Sequence, residues 1–335
     1  MKALVLENAR TPVIKDVPVP EIGTDDLLIR VKAAGICGTD VHIYEGEYFS
    51  EFPLIPGHEF SGVVEQVGKN VRAFMPGDRV TADPNIGCGK CYFCQINQQN
   101  QCEQLEAVGV TRNGAFAEYI AVPEHKAFHI GDLSFQDAAL IEPLACVVYG
   151  LQQTPIPIGA DVLIFGAGPI GLMLMQMLKH AGAARVVIVE GRENRRALAN
   201  TLGAHHVVAV DGTERDMLKS LSQTGFDVVV DATGIPKVVE QMTIYARNRG
   251  ILLYYGVCPK NDTIRISPYE IFRRDLKIYG AFALCNTFAP AIRFLQNQVV
   301  NVTSLLSHTF ALEEFEEALA TMRSGNSMKV QLQPD

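Results

Sequence analysis

Tryptophan is absent from this 335-residue chain, an absence that carries no functional message. Also missing is any unbroken apolar run of about 18 residues, so no membrane-spanning helix is expected. No block of like charge exceeds a few residues, and the net charge of −8 argues for solubility and against a nucleic-acid-binding surface. Low-complexity tracts and short internal repeats are lacking. The opening stretch, MKALVLENARTPVIKDVPVP, is broken by polar residues too early for the apolar segment of a signal peptide. The expected compartment is therefore the reducing cytoplasm, where disulfides are rare. What remains is ordinary for a globular protein: 48% apolar and 20% charged residues, in a chain long enough for two domains with good cores.

Against that background four of the eight cysteines crowd into GCGKCYFCQINQQNQC, residues 87–102. Cys88, Cys91, Cys94 and Cys102 are spaced C-x2-C-x2-C-x7-C. Two-residue gaps let thiolates turn back on one centre, and the longer gap brings in the fourth. That is the donor pattern of a closed tetrahedral zinc site. An iron–sulfur cluster has similar ligand runs and competes with it, as do plain loop cysteines. Four thiolates leave no open position, so such a metal is structural and the chemistry lies elsewhere.

Residues 1–150 are rich in short β-like runs such as LLIRVKAAGIC and FSGVVEQVG, punctuated by Gly and Pro. From residue 155 onward the texture changes. Val162–Phe165 reads as a compact apolar strand, followed by GAGPIG (166–171), a helix-like segment to His180, and a second strand ending at Glu190. HHVVAV, FDVVVDATG and GILLYYGV add further strands separated by helix-length segments. This alternation predicts a parallel α/β sheet, with the chain returning to the first domain near Ala281, where sheet-like alternation stops. The expected domains are 1–146 with 282–335, and 147–281. A G-x-G-x-x-G motif alone is weak. Here a strand precedes it, a helix follows, and an acid stands about 20 residues on, which fits a dinucleotide site. Gly166 permits the turn, Gly168 the approach of a pyrophosphate, and Gly171 close helix packing, with Pro169 and Ile170 between them opening the helix. Glu190 would accept hydrogen bonds from the adenosine ribose, favouring NAD over NADP. Arg192, Arg195 and Arg196 follow at once; they suit a phosphate clasp or, more simply, a solvated helix face.

GICGTDVHIYEG (35–46) and PGHEFSG (56–62) hold Cys37, Thr39, Asp40, His42, His58 and Glu59. Cysteine, histidine and glutamate form a plausible zinc set with one position left for water or substrate. Together GICGTD, GHEFSG, GDRV (77–80), the four-cysteine loop, GAFAEY (114–119), the pair Glu142–Pro143 and GAGPIG span nearly the whole chain. In that order they resemble the zinc-containing medium-chain dehydrogenases, the alcohol and sorbitol dehydrogenase superfamily. The resemblance implies a GroES-like catalytic domain and a Rossmann domain with the active site between them, dimers or tetramers, and two zinc ions per chain, one catalytic and one structural.

Carried over residue by residue, the resemblance makes Cys37 and His58 catalytic zinc ligands. Where the alcohol dehydrogenases place a second cysteine, LIEPLACVV (140–148) offers Glu142, as in the polyol branch. There Glu59 serves as a direct ligand, and the residue matching Glu142 binds the metal or its water. Thr39 is placed to take the substrate proton, and His42 or the coenzyme ribose hydroxyls to pass it to solvent. Asp40 steadies a ligand or caps a helix. DATG (231–234), with Thr233, lines the nicotinamide pocket, and Arg195 joins the coenzyme site. Lys329 matches a family lysine but reads equally well as a surface residue. Phe116 and Phe288 are either a pocket wall or core. Animal sorbitol dehydrogenases carry an Arg-Tyr pair before Cys-Asn-Thr, where this chain has Ala283 and Leu284, so sorbitol itself is not expected. The expected activity is hydride transfer between a secondary alcohol of a sugar alcohol or diol and NAD, with NADP possible. Alternatives are L-threonine 3-dehydrogenase, a sugar-alcohol-phosphate dehydrogenase, a metal-free quinone or enone reductase, and a non-catalytic metal or redox sensor on the same fold.

Overall fold

The computed structural model describes residues 1–334 and divides into two compact units. The first comprises Met1–Ala145, Cys285–Gln298 and the chain from Val302 onward, and the second comprises Cys146–Leu284 with Val299–Asn301.

The first unit is built on a seven-stranded sheet. Its strands run in the order Leu306–Ala311, Lys329–Gln333, Asp26–Gly35, Glu59–Val67, Arg79–Ala82 and Ala127–His129, with Tyr119–Pro123 also paired to Asp26–Gly35. All pairs are antiparallel except the first. Alternation along the central strands decides what each face carries. Ala34, Phe60, Val330 and Leu332 enter a continuous apolar core. The residues between them, Glu59, Ser61, Lys329 and Gln331, are buried and polar. Sheet-like alternation was expected to stop after LKIYGAF; instead Leu306–Ala311 and Lys329–Gln333 complete this sheet. The first escapes notice because it is a mostly exposed edge strand. The second hides because it buries Lys329 and Gln331 on one face, against the usual polar-out pattern.

The second unit is a six-stranded parallel sheet in the order His206–Val208, Arg185–Val189, Asp161–Phe165, Phe226–Asp231, Ala246–Tyr254, Lys277–Gly280. Numbered along the chain, that is the 3-2-1-4-5-6 order of a Rossmann sheet, which binds ligands at the carboxyl ends of the strands where the order reverses. The reversal flanks Asp161–Phe165, whose residues from Val162 to Ile164 are fully buried, as a strand covered on both faces must be. The helix Pro169–His180 opens with Pro at its first turn, buries Leu172, Met173, Leu174 and Met175, and closes with Lys179 and His180. Each of these features suits its place along the helix.

Candidate active site and metal centres

Cys37 caps the helix Gly38–Glu45: its backbone N–H donates to Asp40 Oδ2 at 2.8 Å. Asp40 is almost fully buried. Its other oxygen accepts from Gly57 N–H at 3.3 Å and faces His58 Nδ1 at 3.6 Å. One carboxylate thus caps a helix, ties it to the Gly57 turn and orients the imidazole that follows. Glu59 begins the next strand. Donor atoms of Cys37, His58 and Glu59 all lie within 4.8 Å of one another. Glu142, buried in the helix Ile141–Gln153, is not among the donors inside that distance. Thr39 Oγ1 stands 3.8 Å from Cys37 Sγ. His42 Nδ1 meets Glu47 Oε2 at 2.9 Å.

Lys329 is the residue that sequence inspection undervalued. It is not at the surface: it is 6% exposed, and its ammonium pairs with Glu59 Oε2. Gly35 lies across from Glu59 on the neighbouring strand. A β-carbon at Gly35 would stand 2.2 Å from that oxygen and 2.9 Å from Lys329 Cε, so the pair occupies the space a side chain would need. Tyr48 was missed as well. Burial, aided by the Cys37 thiol, raises its phenol pKa, and its ring stacks on the exposed Phe49 at 4.3 Å. Phe116 and Phe288 are core residues rather than a pocket wall. Both are fully buried, Phe116 against Gly57 and Phe315, Phe288 against Phe128.

The charges around the cluster favour positive groups. Burial opposes charge on His58, yet Asp40, Cys37 and Glu142 outweigh it and hold the imidazole well above its ordinary pKa. Burial likewise opposes charge on Lys329, and Glu59, Cys37 and Glu142 raise it. Burial raises Asp40, against the pull of His58. A thiol, an imidazole and a carboxylate converging in a buried, electronegative setting fit a divalent metal.

The four-cysteine loop meets the same test differently. Sγ atoms of Cys88, Cys91, Cys94 and Cys102 lie within 4.8 Å of one another, and none is in a disulfide. Backbone N–H groups point at the sulfurs: Cys88 N and Gln104 N to Cys102 Sγ at 3.2 and 3.3 Å, and Cys91 N to Cys88 Sγ at 3.4 Å. N–H groups of Cys94 and Glu103 pull the Cys91 thiol down to about 6, whereas burial pushes Cys94 up to about 12. Donation to sulfur favours the thiolate, the form a metal requires. Beneath the loop, the buried Lys126 ammonium reaches Asp83 Oδ2 at 3.3 Å and Gln99 Oε1 at 3.2 Å.

In the second unit Gly166 turns at φ +101° beside Thr233 Cγ2, and a β-carbon at Gly171 would stand 2.0 Å from Gly166 O. Gly168 has open space apart from Arg195 Nη1, 3.7 Å from where its β-carbon would be, and it caps the helix begun by Pro169 and Ile170. Glu190 accepts from Ala167 N–H and Arg192 N–H, both at 2.9 Å. Thr233 Oγ1 donates to the buried Asp231 at 2.6 Å and accepts from Ile235 N–H at 3.0 Å. Arg196, partly exposed, folds back on the carbonyls of Glu190 and Gly191.

Comparison with known proteins adds the following. The family described as alcohol dehydrogenase GroES-like domain matches residues 23–132, and that described as zinc-binding dehydrogenase matches 169–297. D-arabinitol dehydrogenase 1 of Uromyces fabae is 39% identical, over 100% of this chain and 97% of that protein. D-altritol 5-dehydrogenase of Agrobacterium fabrum is 39% identical over 94% of each. L-threonine 3-dehydrogenase of Rhizobium etli is 36% identical over 98% of this chain and 97% of that protein. A crystal structure described as a zinc-binding dehydrogenase of Sinorhizobium meliloti 1021 bound to NADP superposes with a TM-score of 0.95 at 36% identity, covering 99% of both chains.

Proposed function

The chain belongs to the zinc-containing medium-chain dehydrogenases, oxidoreductases using zinc and NAD(P), and from that premise we propose that it oxidises a secondary alcohol of a polyol, a sugar alcohol or diol. The observation that carries this is the convergence of Cys37, His58 and Glu59 on one buried, cation-seeking point.

Cys37, His58 and Glu59 would hold the catalytic zinc, with Glu142 beside them as a further candidate ligand; Cys88, Cys91, Cys94 and Cys102 would hold the structural one. Zinc at the first site supplies Lewis acidity that brings the alcohol pKa toward neutrality. Thr39 takes the hydroxyl proton, and His42, tied at Nδ1 to Glu47, passes it toward solvent. Lys329 holds Glu59 in place through their ion pair. Gly166, Gly168, Pro169, Ile170 and Gly171 receive the coenzyme pyrophosphate at the helix start, Glu190 takes the ribose, Arg195 stands beside Gly168, and Thr233 borders the nicotinamide. The nicotinamide coenzyme held there would supply the hydride acceptor. Glu190 favours NAD, since a 2′-phosphate would meet its charge.

The polyol is supported by the two relatives named for arabinitol and altritol and by Glu142 in place of a cysteine. L-threonine is the second candidate, because a relative of nearly equal coverage acts on it by name. The protein is a dimer or tetramer: the terminal strand Lys277–Gly280 is largely exposed and carries the exposed Ile278, the preceding helix Pro268–Arg274 exposes Tyr269 and Phe272, and an open sheet edge invites a second copy. A cytoplasmic setting suits its eight unbridged cysteines. No helix among the described residues is long and apolar enough to cross a membrane.

The deciding experiment offers pentitols, hexitols, small diols and L-threonine with NAD and with NADP, alongside metal analysis. Polyol-dependent NADH formation with two zinc ions per chain is expected. Activity confined to threonine overturns the substrate, and a fully active metal-free protein overturns the mechanism.

A further inference from the structure

The polar face of the first unit's sheet does not end at Glu59 and Lys329. Ser61 and Gln331 continue it, and both are fully buried. Gln331 lies across from Gly35, and Ser61 across from Ala33, so small residues separate them and leave room above the sheet. Into that room comes the segment after Leu133. Ser61 Oγ donates to Phe135 O at 2.6 Å, and Gln331 Nε2 donates to Gln136 O at 2.8 Å. Ser134 caps the short helix Phe135–Ala138 at 3.0 Å, and Thr303 Oγ1 donates to Asp137 Oδ1 at 2.9 Å. Ala138, Ala139, Leu140 and Ile141 are then fully buried, and the next residue is Glu142. A run of four packed residues transmits a displacement rather than absorbing it.

We propose that Gln331 is a positioning residue of the catalytic centre: with Ser61 it anchors the segment that fixes how close Glu142 stands to Cys37, His58 and Glu59. This rests on the assignment of Glu142 to that centre. Of the two amide atoms of Gln331 only Nε2 is engaged with the protein; Oε1 is buried without a protein partner. Retaining the amide makes sense for the sake of Nε2, whose donation sets the height of the Gln136 carbonyl. Two strands of different sequence origin, one near residue 60 and one near the end of the chain, thereby place a ligand candidate that lies on neither.

Gln331→Met, Ser61→Ala, Glu142→Gln and the double variant Gln331→Met/Glu142→Gln test this in the full-length enzyme. Activity is one measurement. The absorption spectrum of the Co²⁺-loaded protein is the other, after subtraction of the Cys37→Ser variant to remove the four-cysteine site. Gln331→Met, which strips the Gln136 carbonyl of its donor, is expected to lower the melting temperature slightly while lowering kcat roughly 10-fold. It should shift the cobalt bands in the direction Glu142→Gln shifts them, with coenzyme KM unaltered. Ser61→Ala gives a smaller shift of the same sign and serves if Gln331→Met does not fold. In the double variant the losses should not multiply, because both changes act on one carboxylate. Wild-type bands and kcat in both Gln331→Met and Ser61→Ala overturn the proposal, as do losses that multiply in the double. If Glu142→Gln itself leaves bands and rate unchanged, the assignment of Glu142 fails, and the proposal falls with it for that separate reason.

Discussion

The four-cysteine loop and the Cys37–His58–Glu59 centre lie in the same unit and are built on opposite plans. The first takes four identical donors from sixteen consecutive residues and aims backbone N–H groups at them. The second takes three different donors from a helix cap, a turn and a strand, and relies on Lys329 from the far end of the chain to keep Glu59 in place. A closed set of soft ligands gains stability at the expense of reactivity, whereas a mixed and incomplete set leaves an open position for substrate. The contrast teaches that a local metal site is a property of its loop, and a reactive one is a property of the fold that holds it.

The largest effects should separate the two by what is lost. Cys37→Ser is expected to lower kcat/KM by about 10³-fold or more with the melting temperature nearly unchanged. Cys91→Ser should lose one metal per chain and more than about 4 kcal/mol of stability, read by calorimetry and metal analysis. Equal stability losses in the two variants would erase the distinction between structural and reactive sites. Next in size is Lys329→Met. Removing one partner of a buried ion pair costs about 3 kcal/mol or more, and the penalty should be larger in chelator-treated protein than in zinc-loaded protein, because the metal takes over the compensation of Glu59. Urea unfolding with and without chelator measures both, and equal penalties would remove Glu59 from the metal's reach.

Smaller still is a pair of glycines. Gly35→Ala puts a methyl where Glu59 and Lys329 meet and should cost about 1–3 kcal/mol together with activity. Gly38→Ala, next to Cys37 but with nothing within 4 Å, should change stability by no more than about 0.5 kcal/mol. The mildest effect concerns pH. The Cys91 thiol is depressed from its ordinary 9.0 to about 6 in the folded chain, so its thiolate favours folding. That contribution is complete above pH 9 and is lost as pH falls through about 6. Thermal melts of chelator-treated protein should therefore decline across that interval, and Cys91→Ser should flatten the decline.

Much of this molecule follows from short-range pattern. The C-x2-C-x2-C-x7-C spacing and the strand–GAGPIG–helix–acid arrangement each depend on residues close in sequence, where covalent geometry limits what the chain can do. Their positions on a loop and at the head of a helix, and the family to which they belong, were legible for that reason. The exposure of Lys329, the place of Phe116 and Phe288 and the two last strands of the first sheet were not. The lysine of MKVQL reads equally as a family residue or a surface one until the fold brings its side chain beside Gly35 and against Glu59. A phenylalanine beside a conspicuous motif reads equally as pocket wall or core until Gly57 and Phe315 close around it. Sequence by itself determined which chemical groups are present and which lie near enough along the chain to act together. Only tertiary structure decided which distant groups share a face of the sheet, because that depends on the register between strands some 270 residues apart, as with Glu59 and Lys329, and on no feature of either strand alone.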